Sequence, residues 1–297
     1  MAEYFMKIAL TILCKEQEKY APAIVEGVLS QTVKPDRVLV VMDRPSIVER
    51  VAVNRAYSAI PGCEFLAVST RVNPMGRPPM MPGVPPFGAG RCRDLALAML
   101  YDCDLVIFTD GDCIPLPQMV ESHVAAMEPG CVTVGRRTEC KWGSHDQREA
   151  IASRPIPIFT DKPGTVTSER YIADSGVVWT CNFGITGEAV KALSDLNGKL
   201  YGHRSVFSPA FAGRWGGEDG FVGMECFYGG IPIRTTPVME RDGVCHIEHP
   251  RPTNIYQHDA FLQLLESKRR ELVYLFRSQG LYKGEFKTLA ELVGDRV

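Results

Sequence analysis

The sequence predicts an α/β fold built on a mainly parallel sheet flanked by helices. Three observations carry that expectation. Short apolar runs at 7–14 (KIALTILC), 37–42 (RVLVVM) and 64–69 (EFLAVS) read as buried strands. Helical patterns at 20–31 and 47–59 fall between them, the first with Tyr20, Ile24, Val28 and Leu29 at helical spacing. A fourth apolar run, 105–108, leads into acidic residues and a proline stop. Buried strands alternating with helices at this spacing form crossover units, and those units build parallel sheets.

The other elements follow in order. Segment 73–90 holds six prolines and four glycines in 18 residues, a loop of the length that is usually functional or disordered. A helix is expected over 91–100, with Leu95, Ala96 and Met99 on one side, and another over 116–127. Residues 131–135 read as a strand, and 140–175 is polar, interrupted by proline and poorly periodic. The stretch 177–190, VVWTCNFGITGEAV, reads as strand, turn and helix start. Segment 201–220 is rich in glycine and aromatics, and 231–238 and 244–247 look like short strands. From 255 to about 282 Phe261, Leu262, Leu265, Leu272, Leu275 and Phe276 form a helical stripe. The simplest organisation is one domain over 1–254 and a C-terminal helical extension, 255–297, packed on it.

Composition narrows the class. The chain has 297 residues, 45% hydrophobic and 23% charged, which excludes a disordered tail, a collagen-like fibre and a small disulfide scaffold. A formal net charge of -2 gives no global field for nucleic acid, leaving a local patch as the only route to a polyanion. The ten cysteines are scattered, with no CxxC pair, and several sit inside apolar runs as small hydrophobes do. The opening lacks a basic region, and its apolar run is too short for a signal peptide or a span. The expectation is a cytoplasmic protein with reduced thiols and no transmembrane segment.

Asp110-Gly111-Asp112 closes the fourth apolar run. Ligands of open α/β sheets bind outside the carboxyl ends of the strands. Two carboxylates separated by a glycine, with Thr109 beside them, can hold a hard divalent cation and neutralise a diphosphate leaving group. The competing reading is an ordinary Asp/Gly turn. The segment KIALTILCKEQEKYAPAIVEGVLSQTVKPDRVLVVMDRPS resembles the opening of a family 2 glycosyltransferase with the Rossmann-like GT-A fold, and GAGRCRDLALAMLYDCDLVIFTDGDCIP resembles that family's stretch around its acidic dyad. The resemblance puts the dyad on Asp110 and Asp112, the family arginine on Arg93 and the nucleotide-binding acid of the second strand on Asp43. Asp94 replaces the usual Asn, and Met42-Asp43 stands where a double aspartate is usual.

Trp215-Gly216-Gly217-Glu218-Asp219 is the most specific cluster. The glycines permit a tight path beside a sugar, Trp215 offers a face for stacking, and an acid there can deprotonate an acceptor hydroxyl. Should the acids open a helix, its dipole favours their ionised forms; a Gly-rich turn with an Asp cap is the plainer reading. The cluster resembles the acceptor motif of galactosyltransferase-like GT-A enzymes, which implies Asp219 as catalytic base, Glu218 as acceptor-orienting, and Trp215, Gly216 and Gly217 as acceptor-binding. CNFGITGEAV resembles the stretch preceding that motif, which implies Asn182 in the donor pocket.

Two histidines, His246 and His249, lie in Cys245-His246-Ile247-Glu248-His249-Pro250. Mixed carboxylate and imidazole suits Mn²⁺ or Mg²⁺-like chemistry. The segment looks like the HxxHP sequence that completes the metal site in such enzymes, implying Asp112 with His246, His249 or both. A structural zinc site joined by Cys245 and Cys226 competes. Arg91 with Arg93, or Arg136 with Arg137, could meet a diphosphate.

Together these readings imply a metal-dependent, inverting transfer from a nucleotide diphosphate sugar. The acceptor hydroxyl stays open: glycan, protein, small molecule or nucleic acid. A sugar-nucleotide-forming nucleotidyltransferase would need a Gly-rich basic loop after the first strand, where CKEQEKY stands. A non-catalytic sugar-binding module is the third reading, and the intact Asp110, Asp112 and Asp219 weigh against it.

Overall fold

A computed structural model describes residues 5–68, 88–141, 150–152, 159–168, 178–208, 218–248, 258–278 and 280. The expected order of elements is present. Strands β1 (Ile8–Cys14), β2 (Arg37–Asp43) and β3 (Glu64–Val68) are linked by helices α1 (Ala21–Leu29) and α2 (Ile47–Tyr57). Helix α3 (Ala89–Met99) precedes β4 (Leu105–Asp110). Then come β5 (Cys113–Pro115), α4 (Met119–Ala126), β6 (Val132–Val134), β7 (Arg137–Lys141), β8 (Ala150–Ala152) and β9 (Gly164–Thr165). The chain closes with β10 (Phe183–Thr186), α5 (Gly187–Tyr201), α6 (Glu218–Gly229), β11 (Ile233–Thr235), β12 (Val244–Glu248) and α7 (His258–Ser278). The short strands β8 and β9 lie in the stretch 140–175, whose sequence shows no clear period, and β7 runs into its start. Too few residues alternate in each for a period of two to register.

Eight strands form the main sheet, in the order β3-β2-β1-β4-β10-β6-β11-β9. β3, β2, β1 and β4 run parallel, while β10 runs antiparallel to β4 and β6. β1 shows why both faces are covered. Ala9 and Leu13 face one core, with residues of α3, α5, α6 and α7; Ile8, Leu10, Ile12 and Cys14 face the other, with α1, α2 and α4. Alternate side chains point to opposite faces, so a strand buried on both reads as a continuous apolar run. Leu272, Val273 and Phe276 of α7 join the first core, and the buried Arg269 donates to the Tyr228 hydroxyl at 3.2 Å. Among the described residues no helix is long and apolar enough to cross a membrane.

A second sheet, β5-β12-β7-β8, is attached where β4 ends. β5 starts three residues after Asp110, so the strand carrying the acidic dyad feeds directly from one sheet into the other. The carboxyl ends of β1, β2, β4, β6 and β11 share one edge of the main sheet, and β10 begins there. That edge is the crevice where α/β sheets bind ligands.

The cysteines differ from expectation at one point. Cys140 and Cys245 are joined in a disulfide across β7 and β12, with Cα atoms 5.9 Å apart, so two of the ten are not isolated packing thiols. Adjacent strands bring the two Cβ atoms within disulfide reach although 105 residues separate them in sequence. Cys226 is packed in the opposite core from Cys245. The competing reading, a zinc site joined by both Cys226 and Cys245, therefore finds no support in the packing.

Candidate functional site

At Gly111 the backbone runs close against its surroundings. A Cβ there would sit 2.6 Å from Gln17 Oε1 and 3.1 Å from Cys14 Sγ. No larger residue fits without moving them. The Gly111 amide donates to Leu13 O at 2.8 Å, tying the turn to the end of β1. The turn splits the two acids between different neighbourhoods.

Asp110 meets Arg93, whose Nη2 donates to Asp110 Oδ1 at 2.8 Å while Nη1 donates to Glu218 Oε1 at 2.9 Å. Arg93 is buried, and its guanidinium lies 5.8 Å from the centre of the Phe207 ring. Burial works against its charge, but the carboxylates of Asp110, Glu218 and Asp219 outweigh it and hold Arg93 protonated. Burial, with Asp112 adding to it and Arg93 pulling the other way, holds the Asp110 carboxyl above the usual range. Glu218 and Asp219 do open a helix, α6. The dipole does not govern there: burial first, then the Glu218 charge, push Asp219 up to about 7. Asp219 accepts from the Gly220 amide at 2.7 Å. A carboxyl titrating near neutrality, with its charge sensed by Arg93 and Asp110, has the property of a general base.

Asp112 turns the other way. It accepts from Gln17 Nε2 at 2.7 Å and from Cys113 Sγ at 3.3 Å, and His246 Nε2 lies 3.7 Å from its Oδ2. The Ile247 amide donates to Asp112 O at 2.8 Å, which fixes β12 beside it. His246 Nδ1 donates to Glu139 Oε2 at 2.5 Å, and Arg137 Nη2 is 3.0 Å from the same nitrogen. Burial opposes charge on His246, but its bonds to Asp112 and Glu139 prevail and raise it to about 9. Burial would raise Glu139, yet His246 and Arg137 hold it down at about 2. A histidine that gives Nδ1–H to a carboxylate presents Nε2 to a metal. Asp112, Cys113 and His246 each offer a ligand atom, all within 4.8 Å of one another. Carboxylate, imidazole and thiol in that span suit a divalent transition ion.

The nucleotide-side residues are more enclosed than the sequence implies. The Asp43 carboxylate is fully buried; it pairs with Lys15 and Arg44, each at 3.2 Å, and accepts from the Gly88 amide at 3.2 Å. Arg44, and Glu16 after β1, are the non-glycine residues with positive φ among those described, at 48° and 54°. Both lie at the ligand edge, where strained backbone tends to collect. Asn182 is committed within the protein. Its Nδ2 donates to Arg136 O at 2.7 Å and its Oδ1 meets His123 Nε2 at 2.8 Å. His123, which burial lowers to about 4, also meets Thr133 Oγ1 at 2.6 Å. Asp94, pushed up by burial to about 7, accepts from the Val206 and Phe207 amides.

Trp215, Gly216, Gly217 and His249 lie outside the described residues, as do 73–87 of the Pro-rich loop. Sequence reasoning missed Lys15, Gln17 and Glu139, and read Cys113, beside the site, as a packing residue. The positions of Lys15 and Gln17 just past the first strand were the available signal; Cys113 and Glu139 depend on strand register, which no local pattern reveals.

No protein-family model matches the chain, and no curated protein matches it by sequence. Solved structures do match in shape. S. aureus TarS, residues 1–349 in complex with UDP-GlcNAc, superposes with a TM-score of 0.60 at 14% identity, covering 97% of this chain and 70% of that one. The fold is GT-A. GalNAc-T7 with UDP, GalNAc and Mn²⁺ gives 0.57 at 14% identity, covering 98% of this chain, which spans only 54% of GalNAc-T7. Glucosyl-3-phosphoglycerate synthase from Mycobacterium tuberculosis, with Mn²⁺, UDP and phosphoglyceric acid, gives 0.51 at 14% identity, covering 94% and 80%. Asp110 ends β4 at the carboxyl edge of that fold, and β12 brings His246 beside Asp112.

Proposed function

We propose that this chain is a metal-dependent, inverting glycosyltransferase that moves a sugar from a nucleotide diphosphate sugar to an acceptor hydroxyl. One observation carries the reading. At the ligand edge, a carboxylate–imidazole pair (Asp112, His246) and a neutral-range carboxyl at a helix start (Asp219) are linked through Asp110, Arg93 and Glu218. The likeness to structures holding UDP-GlcNAc, or UDP with Mn²⁺, supports it.

Asp110, Asp112 and His246, with His249 as a further candidate, would hold Mn²⁺ or Mg²⁺. A divalent ion there supplies charge against the departing diphosphate. Asp219 removes the proton from the acceptor oxygen, which attacks the sugar from the face opposite the leaving group. Glu218, pinned by Arg93, orients that acceptor, and Trp215, Gly216 and Gly217 form its platform. Asp43 and Asn182 shape the donor side. They act by fixing Lys15, Arg44 and the backbone at Arg136, since their own polar atoms are engaged. The expected site of action is the cytoplasm.

A panel of nucleotide sugars with Mn²⁺ tests the reading by thermal shift, because a ligand at 100 times its Kd adds about 2.7 kcal/mol to the folded state. A donor that stabilises the chain should then be hydrolysed or transferred, and chelation should abolish that turnover. Full transfer in the presence of a chelator sinks the metal role; no stabilisation by any nucleotide sugar sinks the donor class.

A further inference from the structure

Asp112 stands in the turn before β5 and His246 on β12, and strand register decides what else stands beside them. β5 and β12 pair antiparallel with Cys113 directly opposite His246. Directly opposed residues share a face of the sheet. On the other side of β12, β7 places Glu139 against His246, so Cys113, His246 and Glu139 form one row across three strands. Asp112, next to Cys113 in the chain, has its Oδ1 3.3 Å from Cys113 Sγ. The Asp112, Cys113 and His246 donor atoms all lie within 4.8 Å of one another, so side-chain shifts of a few tenths of an ångström to about 1 Å bring them onto one ion with bonds of roughly 2.0–2.3 Å. Cys245 neighbours His246, so its side chain turns to the opposite face, where Cys140 takes it.

We propose that Cys113 is a further protein ligand of the ion at Asp112 and His246, making this a sulfur–nitrogen–oxygen site for a borderline-soft divalent cation. The proposal rests on Asp112 and His246 being metal ligands, as in the reading above. A dyad of carboxylates alone would favour hard ions. Added thiolate sulfur shifts preference toward Co²⁺ and Zn²⁺ relative to Mn²⁺. The thiol proton goes to solvent as the sulfur–metal bond forms, so binding releases acid. Asp112, Cys113 and His246 leave positions open for Asp110 and a substrate oxygen.

Co²⁺ titration of the full chain with its free thiols reduced tests this directly. Thiolate-bound Co²⁺ shows a near-ultraviolet charge-transfer band beside its visible d–d bands. The parent protein should show both. Cys113→Ser should keep the visible bands, lose the charge-transfer band and bind Co²⁺ at least about tenfold more weakly. Its Mn²⁺ affinity, read by electron paramagnetic resonance, should change less than Co²⁺ affinity. Cys181 hydrogen-bonds to Cys113 and is the obvious rival thiol, so Cys181→Ala should retain the band. A parent spectrum with d–d bands and no charge-transfer band overturns the proposal, as does a band that survives Cys113→Ser. Should Cys113→Ser fail to fold, X-ray absorption of Co²⁺-loaded Cys181→Ala decides: one sulfur at about 2.3 Å supports the proposal, and a shell of nitrogen and oxygen alone overturns it. Mn²⁺-dependent transfer separates the two levels. Intact transfer without the band rejects only Cys113, while neither Co²⁺ binding nor Mn²⁺-dependent transfer rejects the reading beneath it.

Discussion

Replacing Arg93 with methionine removes a buried cation and keeps a side chain of similar length. Arg93 joins Asp110 to Glu218 at 2.8 and 2.9 Å, so the substitution leaves those carboxylates, and Asp219 near them, facing each other without it. Breaking a buried ion pair from one side costs roughly 3–5 kcal/mol. The Asp110 side chain is 28% exposed, so solvent screens part of its charge and about 2–3 kcal/mol is the better expectation. At about 2–4 °C per kcal/mol, the midpoint of thermal unfolding should fall by roughly 5–10 °C near neutral pH. The pH dependence fixes the cause. Asp110 and Asp219 already titrate above their ordinary value with Arg93 pulling both down, so losing Arg93 raises both further. A carboxyl whose folded-state pKa is raised favours the folded state at low pH and loses that contribution as pH rises through the folded pKa. The deficit should therefore be largest at about pH 8 and shrink toward about pH 5. Circular dichroism melts of parent and variant across that range measure it. Arg93→Lys should recover only part, since one ammonium cannot fork to two carboxylates. Equal melting points at pH 8, or a deficit that grows on acidification, would refute the reasoning.

Asp219→Asn should lower kcat by about 10²–10⁴-fold in a transfer assay, the range of a lost general base, with donor binding retained. The base works ionised, so kcat/KM of the parent should rise with pH and level off above about 7; a profile flat from pH 5 to 8 contradicts the assignment. Glu139→Gln should weaken Mn²⁺ binding about 10–100-fold by loosening His246, as metal titration would read. Gly111→Ala places a Cβ 2.6 Å from Gln17 Oε1 and should destabilise the chain by about 1–3 kcal/mol; an unchanged melting point would mean that the turn is looser than its packing shows.

The large sheet was legible because its central strands are buried on both faces. β1, β2 and β4 announce themselves as unbroken apolar runs, and their ends carry the acids. Of the small sheet only β12 was legible, at 244–247. β5, β7 and β8 have three to five residues each, below the length at which alternation separates strand from loop. Since β12 reaches Asp112 only through that sheet, the metal-side residues split accordingly. His246 was found through its motif; of its cross-strand neighbours, Glu139 was not found and Cys113 was read only as packing beside the site. Asn182 fails differently. It sits at the expected edge, yet the His123 ring and the Arg136 carbonyl, both remote in sequence, consume its amide. Likewise, α6 formed where the acids suggested, but its dipole was the weaker influence on Asp219. Burial, which a sequence does not state, decided the sign.

The two aspartates flanking Gly111 are not equivalent. Asp112 belongs to Gln17, Cys113 and His246, and so to the small sheet; Asp110 belongs to Arg93 and, through it, to Glu218 at the head of α6. A cation drawn to both acids would compete with Arg93 for Asp110. As Asp110 turned toward that cation, Arg93 would be left to Glu218 and Asp219, its remaining buried carboxylates. Arg93 would then bear more strongly on Asp219, lowering its pKa and readying it as a base when the donor's ion is in place. The same guanidinium thus couples metal occupancy to base strength through one side chain. It predicts that the pH at which transfer reaches half its plateau falls as Mn²⁺ saturates the site, and that this dependence disappears in Arg93→Met.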